Sequence, residues 1–282
     1  MTGDGPGATG VSGAWTSGDV ASDWQKGTAA REQALSQVND VMFNLAGVTV
    51  GGRVLDLGAG TGDQTALAAR RVGRQGLVLA TDISASMLDL ARETAREAGL
   101  DNVETQVMDA QYLDLESASF DAAIARFSLQ FVPDVPLALG EVRRVLRPAG
   151  RFAAVVFSTV ERNGFRATPQ VIASRLAGRP FPEPGPGQWA LNAPSELTIA
   201  FEGAGFRKVD VQVVPFVYRF ASLTDALQNL RESQPPLMRL LGMLSDADRE
   251  AAWAEIKEAL AAYDGPDGFA GPAEALVVVG TA

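Results

Sequence analysis

The stretch Val54-Leu55-Asp56-Leu57-Gly58-Ala59-Gly60-Thr61-Gly62 constrains the fold of this chain more than any other. A short apolar run of strand character enters three alternate glycines, and helix-forming residues follow through Arg71. Glycine reaches backbone conformations closed to other residues and lets a ligand approach the main chain. A helix N-terminus behind it presents free N–H groups and a positive dipole end. Strand, glycine turn and helix in this order open a parallel α/β sheet, whose ligands bind outside the carboxyl ends of the strands.

The same rhythm continues. Ala29 to Ala46 has helical spacing, with Leu35, Val38, Met42 and Leu45 on one face. After the glycine turn come strands at Leu77 to Thr81, Val103 to Val107, Asp121 to Ala125 and Phe152 to Phe157. Helices alternate with them. Ser84 is placed to cap the helix that Gly99 stops, and Pro133 to Leu146 ends at Arg147-Pro148 and Gly150. This alternation predicts a Rossmann-like α/β fold with helices on both faces of the sheet and right-handed crossovers. Farther on, Pro180 to Pro186 reads as a loop and Pro194 to Ala204 as a helix closed by Gly205. Val209 to Phe220 is β-rich, Ser222 to Tyr263 mostly helical with a break at Pro235-Pro236, and Glu274 to Val279 a last apolar strand.

These elements divide the chain as follows: a disordered tail over 1–22; an N-terminal helix and ligand-binding core over 23–157; a lid insertion over 158–192; a return to the core over 193–220; a helical lid insertion over 221–272; and the last core strand over 273–282. No apolar run reaches the roughly 20 residues of a membrane span. The net charge of −10 argues against a nucleic-acid substrate, because phosphate contacts dominate that affinity. Arg143, Arg144, Arg147 and Arg151 read as a solvated helix end. There is no cysteine and no histidine. Thiolate and imidazole metal sites, disulfides and a histidine general base are thereby excluded, so no metal site is expected and a cytoplasmic setting is the default.

The residues around the glycines narrow the ligand. A dinucleotide fingerprint asks for glycine at 63, where this chain has Asp63, and Asp56 stands just before the loop. Those carboxylates suit a cationic ligand better than a diphosphate. Asp82, at the end of the second strand, stands where such folds put an acid that accepts both ribose hydroxyls. Asp109 follows the third strand and can take an adenine amino group, and Ile83 and Met87 can pack on the adenine face. S-adenosylmethionine (SAM), with its ammonium, sulfonium, ribose diol and adenine, matches this set.

Val54 to Phe157 resembles the core of class I SAM-dependent methyltransferases, and is similar to the ubiquinone/menaquinone-biosynthesis type and its small-molecule relatives. The matching pieces are the glycine stretch, Thr81-Asp82-Ile83-Ser84, Met108-Asp109-Ala110, and Glu141 to Gly150. In the last, Ala149 replaces a glycine usual in the family. The resemblance implies a seven-stranded sheet with the last strand antiparallel, inserted between Phe152–Phe157 and Val209–Phe220. It implies that Asp56, Gly58, Ala59 and Gly60 surround the methionine part of SAM, that Asp82 holds the ribose, and that Asp109 and Ala110 hold the adenine. Arg126 and Phe127 would lie near the methionine end. S-adenosylhomocysteine would be the product.

Methyl transfer is an in-line displacement that disperses positive charge, so alignment and exclusion of water serve it even without a base. Many relatives carry a histidine a few residues past the fourth strand; here Gln130 stands in that region. It can hydrogen-bond an acceptor but not deprotonate it. Tyr218 is a further candidate, with Tyr112, Tyr263, Lys26 and the carboxylates, and no spacing singles one out. Trp24 and Gln25 are placed to close over the cofactor. The insertions carry Phe165, Phe181, Trp189, Leu237, Met238, Leu241 and Met243, and an apolar lid suggests a small apolar or aromatic acceptor. The resulting expectation is a small-molecule O- or C-methyltransferase. A fold relative with cyclase-like chemistry and a SAM-binding module remain open alternatives, as does the oligomeric state.

Overall fold

The computed structural model describes residues 28–282. The tail expected over 1–22, and Trp24, Gln25 and Lys26, lie outside the described residues.

Helix α1 (Thr28–Ala46) precedes the sheet. Then come β1 (Arg53–Leu57), α2 (Asp63–Val72), β2 (Leu77–Asp82), α3 (Ala85–Glu97), β3 (Val103–Val107), β4 (Phe120–Arg126), α4 (Val135–Val145) and β5 (Leu146–Phe157). The second half adds α5 (Gly164–Leu176), α6 (Pro194–Gly203), β6 (Arg207–Phe220), α7 (Leu223–Ser233), α8 (Pro235–Gly242), α9 (Asp246–Leu260), the two-residue β7 (Asp264–Gly265) and β8 (Gly268–Thr281). The strand order is β3-β2-β1-β4-β5-β8-β6, with β7 pairing only with β8. Strands β1 to β5 pair in parallel, and β8 runs antiparallel between β5 and β6. The expected seven-stranded arrangement is therefore present, with β7 as a small addition.

Both faces of the sheet are covered, which is why β1, β4 and β5 read as continuous apolar runs. One core joins α1, α2, α5 and α7–α9 to the sheet; the other joins α4 and α6. Leu35, Val38 and Met42 bury the predicted face of α1. Ser84 caps α3 by accepting the Met87 N–H, and Gly99 follows with φ +65°. Pro235 and Pro236, read as a break, start α8, where their missing N–H groups cost nothing.

Three differences from the sequence reading have physical causes. Helix α5 carries Pro169 in its interior, which hides its periodicity; burial of Phe165, Ala167, Ile172 and Ala173 overrides that penalty. Strand β5 begins at Leu146, because the Pro148-Ala149-Gly150 segment forms a bulge against β4 rather than a loop. Strand β8 begins at Gly268. Its Gly271 is there because a Cβ would lie 2.8 Å from the Phe165 and Phe269 rings. Of the four arginines, Arg143 and Arg144 lie in the last turn of α4 and Arg147 and Arg151 in β5; Arg144 is half-buried and paired with Glu141, and Arg147 is paired with Asp121.

Candidate functional site

The glycine loop closes on itself at the carboxyl end of β1. Gly58, Gly60 and Gly62 have φ of +67°, +56° and +83°, which side-chain-bearing residues rarely adopt. A Cβ on Gly58 would fall 2.4 Å from Cβ of Ser128, and one on Gly62 would fall 2.8 Å from Ala91. Gly60 differs: a Cβ there would meet nothing within 4 Å. Two glycines thus admit protein neighbours, and the third faces open space.

Asp82 stands across that space. One carboxylate oxygen accepts the Gly60 N–H at 2.9 Å and the other accepts the Ser84 N–H at 2.9 Å. The carboxylate keeps acceptor capacity beyond these backbone donors. Burial pushes the Asp82 carboxyl up from its ordinary value, and backbone donors from Ser84, Gly60 and Ile83 oppose that. The Met108 N–H donates to the Asp82 carbonyl, holding the end of β3 beside it. Asp109 is half-buried, and among the described residues its carboxylate takes hydrogen bonds only from Gln111. Ala110 is half-buried beside it, Met87 is buried and Ile83 is exposed. This donor set fits SAM: a diol acceptor at Asp82, an amine acceptor at Asp109, and open backbone at Gly60.

Asp56 has a different placement. It is fully buried, accepting Thr65 Oγ1 at 2.6 Å and Gln64 Nε2 at 3.2 Å. Gln64 also donates to the Ala59 carbonyl, so the carboxylate braces the loop from beneath. Desolvation dominates its titration and pushes it up to about 6, opposed by Thr65, Gln64 and the Arg126 charge. Arg126, at the end of β4, pairs with Glu32 at 2.7 Å and donates to Asn39 at 2.9 Å. Arg31 of the same helix pairs with Asp63 at 2.5 Å, both side chains 8 % exposed. Helix α1 is thereby fastened over the loop by buried ions. Sequence reasoning missed this tether, and the only signal was the unusual acid at 63.

Beyond β4 lies a cleft with about 480 Å³ of free space, part of it open to solvent. Phe127, Gln130 and Tyr218 all line it, so these sequence candidates converge. Phe127 has φ +53° and stacks on Phe157 with ring centroids 4.2 Å apart. Gln130 is 1 % exposed, yet neither amide atom has a hydrogen-bond partner. A buried orphan amide costs about 1–3 kcal/mol, and the Gln130 amide can hydrogen-bond a molecule entering the cleft. Tyr218 accepts a hydrogen bond from Arg166 Nε at 3.2 Å.

Sequence reasoning missed Arg166, Gln188 and Gln234, which also line this cleft. Gln170 organises them. It takes the Trp189 Nε1–H and donates to Gln188 and Gln234 at 3.1 and 3.0 Å. Nε2 of Gln188 is buried without a partner. The seven apolar residues expected to face an acceptor do not line the cleft. Phe165, Trp189, Leu237 and Leu241 are buried in the core, where Trp189 lies against Phe157 and Phe181, while Met238 and Met243 are exposed. Helices must bury an apolar face somewhere, and these bury theirs against the sheet. Of the other tyrosines, Tyr112 is exposed and Tyr263 packs edge-on against Phe269. Among the described residues no cluster could hold a metal ion and no helix is long and apolar enough to cross a membrane.

Comparison with known proteins agrees with this geometry. Residues 54–150 match the methyltransferase domain family. The chain is 44% identical over 117 residues to the ubiquinone/menaquinone biosynthesis C-methyltransferase UbiE of Teredinibacter turnerae, covering 41% of this chain and 47% of that enzyme. The chain thus spans less than half the length of such relatives. The YcgJ protein of Bacillus subtilis aligns over 87% of this chain and 98% of its own, with a TM-score of 0.58 and 20% identity. The cyclase SpnF aligns over 88% of this chain and 82% of its own, with a TM-score of 0.57 and 23% identity. At those identities the two structures speak for the fold alone. Fold, site residues and family match converge: over residues 54–150 this chain is similar to the methyltransferase domain family and resembles the class I, SAM-dependent type.

Proposed function

We propose that this protein transfers the methyl group of SAM to an oxygen or carbon of a small acceptor carrying an aromatic or flat apolar part, chiefly by proximity and orientation. The observation that supports this most is the placement of Gly60 and Asp82 at the ends of β1 and β2, on one side of β4 in the sheet, and of a cleft lined by Gln130 and Tyr218 beyond it. When bound, SAM supplies an electrophilic methyl on a sulfonium. In this reading Asp82 holds the ribose hydroxyls, Asp109 and Ala110 the adenine edge, and Ile83 and Met87 its face. Asp56 acts through the loop it braces rather than by contact. Arg126 and Phe127 stand between the two sides.

The acceptor lies against Phe127 and Phe157, its polar atom on the Gln130 amide. The Tyr218 hydroxyl is the protic group nearest that face, turned by the Arg166 donor it accepts, and it is the candidate to take a proton. The lid over the carboxyl ends is formed by the insertions 158–192 and 221–272, and it keeps water from the methyl group. Similarity to C-methyltransferases over the core favours carbon as the target.

The likeness to a cyclase supports a second reading, in which the cavity folds a bound acceptor without methylating it. Calorimetry with SAM and S-adenosylhomocysteine tests the shared premise. Mass spectrometry of acceptor mixtures then separates the two: a mass gain of one CH2 establishes methylation, and an isomer of unchanged mass establishes the cyclase reading.

A further inference from the structure

The acceptor cleft has an electrostatic character opposite to that of the protein. The chain carries a net charge of −10, yet among the described residues the cleft is lined by two arginines and by no aspartate or glutamate. Arg31 is neutralised by Asp63, beside the glycine loop and so at the cofactor end. Arg166 is not neutralised. It projects from α5 with 8 % exposure, its Nε donates to Tyr218, and its guanidinium lies 5.2 Å from the Tyr218 ring and 5.9 Å from the Phe157 ring. Among the described residues no carboxylate pairs with it.

Buried guanidinium groups are ordinarily paired, because removal from water costs several kcal/mol that aromatic faces return only in part. Here the missing partner is on the side open to the cleft. The orphan amides of Gln130 and Gln188 face the same cleft, and offer donors and acceptors for neutral oxygens. Resting on the methyltransferase reading above, we infer that the acceptor is an oxyanion: a flat molecule bearing a carboxylate or an ionised phenol or enol. The anion is held by Arg166, its ring by Phe127 and Phe157, and a second oxygen by Gln130. Amine acceptors are excluded by the same charge, for a cationic group would face Arg166 in a walled cleft where charges are poorly screened.

The rival anion is the carboxylate of SAM itself, so the test is run on the intact protein saturated with S-adenosylhomocysteine. Saturable binding of that nucleoside by wild-type protein is the check on the underlying reading, and its failure is thereby distinct from failure of the present inference. Phenylacetate, its methyl ester and phenethylamine are titrated by ligand-observed NMR, with picrate and its methyl ether as the phenolate arm. At least one anion is expected to bind about tenfold or more tighter than its neutral partner, with phenethylamine weakest. Arg166→Gln is expected to abolish that preference, Arg166→Lys to keep part of it, and both to bind S-adenosylhomocysteine as wild type does. Equal binding of anions and neutral partners by wild-type protein overturns the inference, whether or not the variants fold. So does an Arg166→Gln protein that keeps the preference, or one whose loss is confined to the nucleoside.

Discussion

The two sides of β4 are built by opposite means. On the cofactor side, the carboxylates of Asp56 and Asp82 are held by hydrogen bonds within the protein. Asp82 is fixed by N–H groups of Gly60 and Ser84, and Asp56 by side chains eight and nine residues away. On the acceptor side, polar groups are buried and left without partners, and residues that meet there lie far apart in the chain. Arg166 reaches Tyr218 across 52 positions and Gln170 reaches Gln234 across 64. The cofactor side is a rigid cradle whose stability does not depend on a ligand. The acceptor side carries unsatisfied groups that a ligand would satisfy, and such sites lower stability in return for recognition.

The largest test of this contrast is Asp82→Ala. A carboxylate that accepts two hydroxyls contributes about 1.5–3 kcal/mol per hydrogen bond, so the variant should bind SAM more than about a hundredfold more weakly by calorimetry. Binding of the acceptor-side probes should be unchanged. If those probes weaken as well, the two sides are one cooperative unit and the contrast fails.

Asp56 tests whether the cradle is as comfortable as it looks. Its folded pKa is about 6, above the unfolded value near 4, so the folded state holds the proton more tightly. Stability contributed by that group is present below pH about 4 and lost as the pH rises to about 6. Asn at this position can still accept from Thr65, with the Gln64 amide turned to suit. Wild-type protein should therefore lose about 3 kcal/mol relative to Asp56→Asn between those limits, and nothing further above them. Urea denaturation of both proteins across this range measures it, and a flat difference would mean that water reaches the carboxylate.

The same contrast decides what could be read from the sequence. Strand β3 begins and ends where its residues suggest, and β1 does so too, because strand period and glycine signals are local. The positions of Gly60, Asp82 and Asp109 at strand ends came with the same signals, while the insertion of the last, antiparallel strand came from the family resemblance. Gln130 was found because relatives of the resembling family place a histidine in that region, and Tyr218 only as one of several possible bases that no spacing singled out. Arg166 and Gln188 were not, since α5 is masked by Pro169 and the loop after it has no period. The apolar residues of the insertions gave a false lead. Hydrophobicity says that a side chain is buried, but not whether it faces a ligand or a neighbouring helix.

Gln130→Leu sharpens the acceptor half. It removes two buried, unpartnered atoms and keeps most of the volume, so the ligand-free protein should gain about 1 kcal/mol in denaturant midpoint experiments. Acceptor turnover should fall about tenfold in kcat/KM if one neutral hydrogen bond is lost. A variant that is less stable would show that Gln130 is satisfied in solution, and the acceptor side would then resemble the cofactor side.

The smallest effect concerns strain rather than polarity. Phe127 and Ala149 both hold left-handed backbone, with φ of +53° and +67°. Phe127 earns its conformation by stacking on Phe157 in the cleft. Ala149 is exposed in the bulge at the start of β5 and does not line the cleft; relatives of the resembling family usually have glycine there. The left-handed conformation costs alanine about 1–2 kcal/mol, and glycine gives back about 0.5–1 kcal/mol through its greater unfolded-state entropy. Ala149→Gly should thus raise stability by about 0.5 kcal/mol, seen as a small rise in Tm, without touching SAM or acceptor binding. Phe127→Gly relieves the same strain but should lower both stability and acceptor affinity, because the ring leaves a gap beside Phe157. Equal responses at the two positions would mean that the Phe127 conformation is, like that of Ala149, a tolerated accident of the chain and not part of the site.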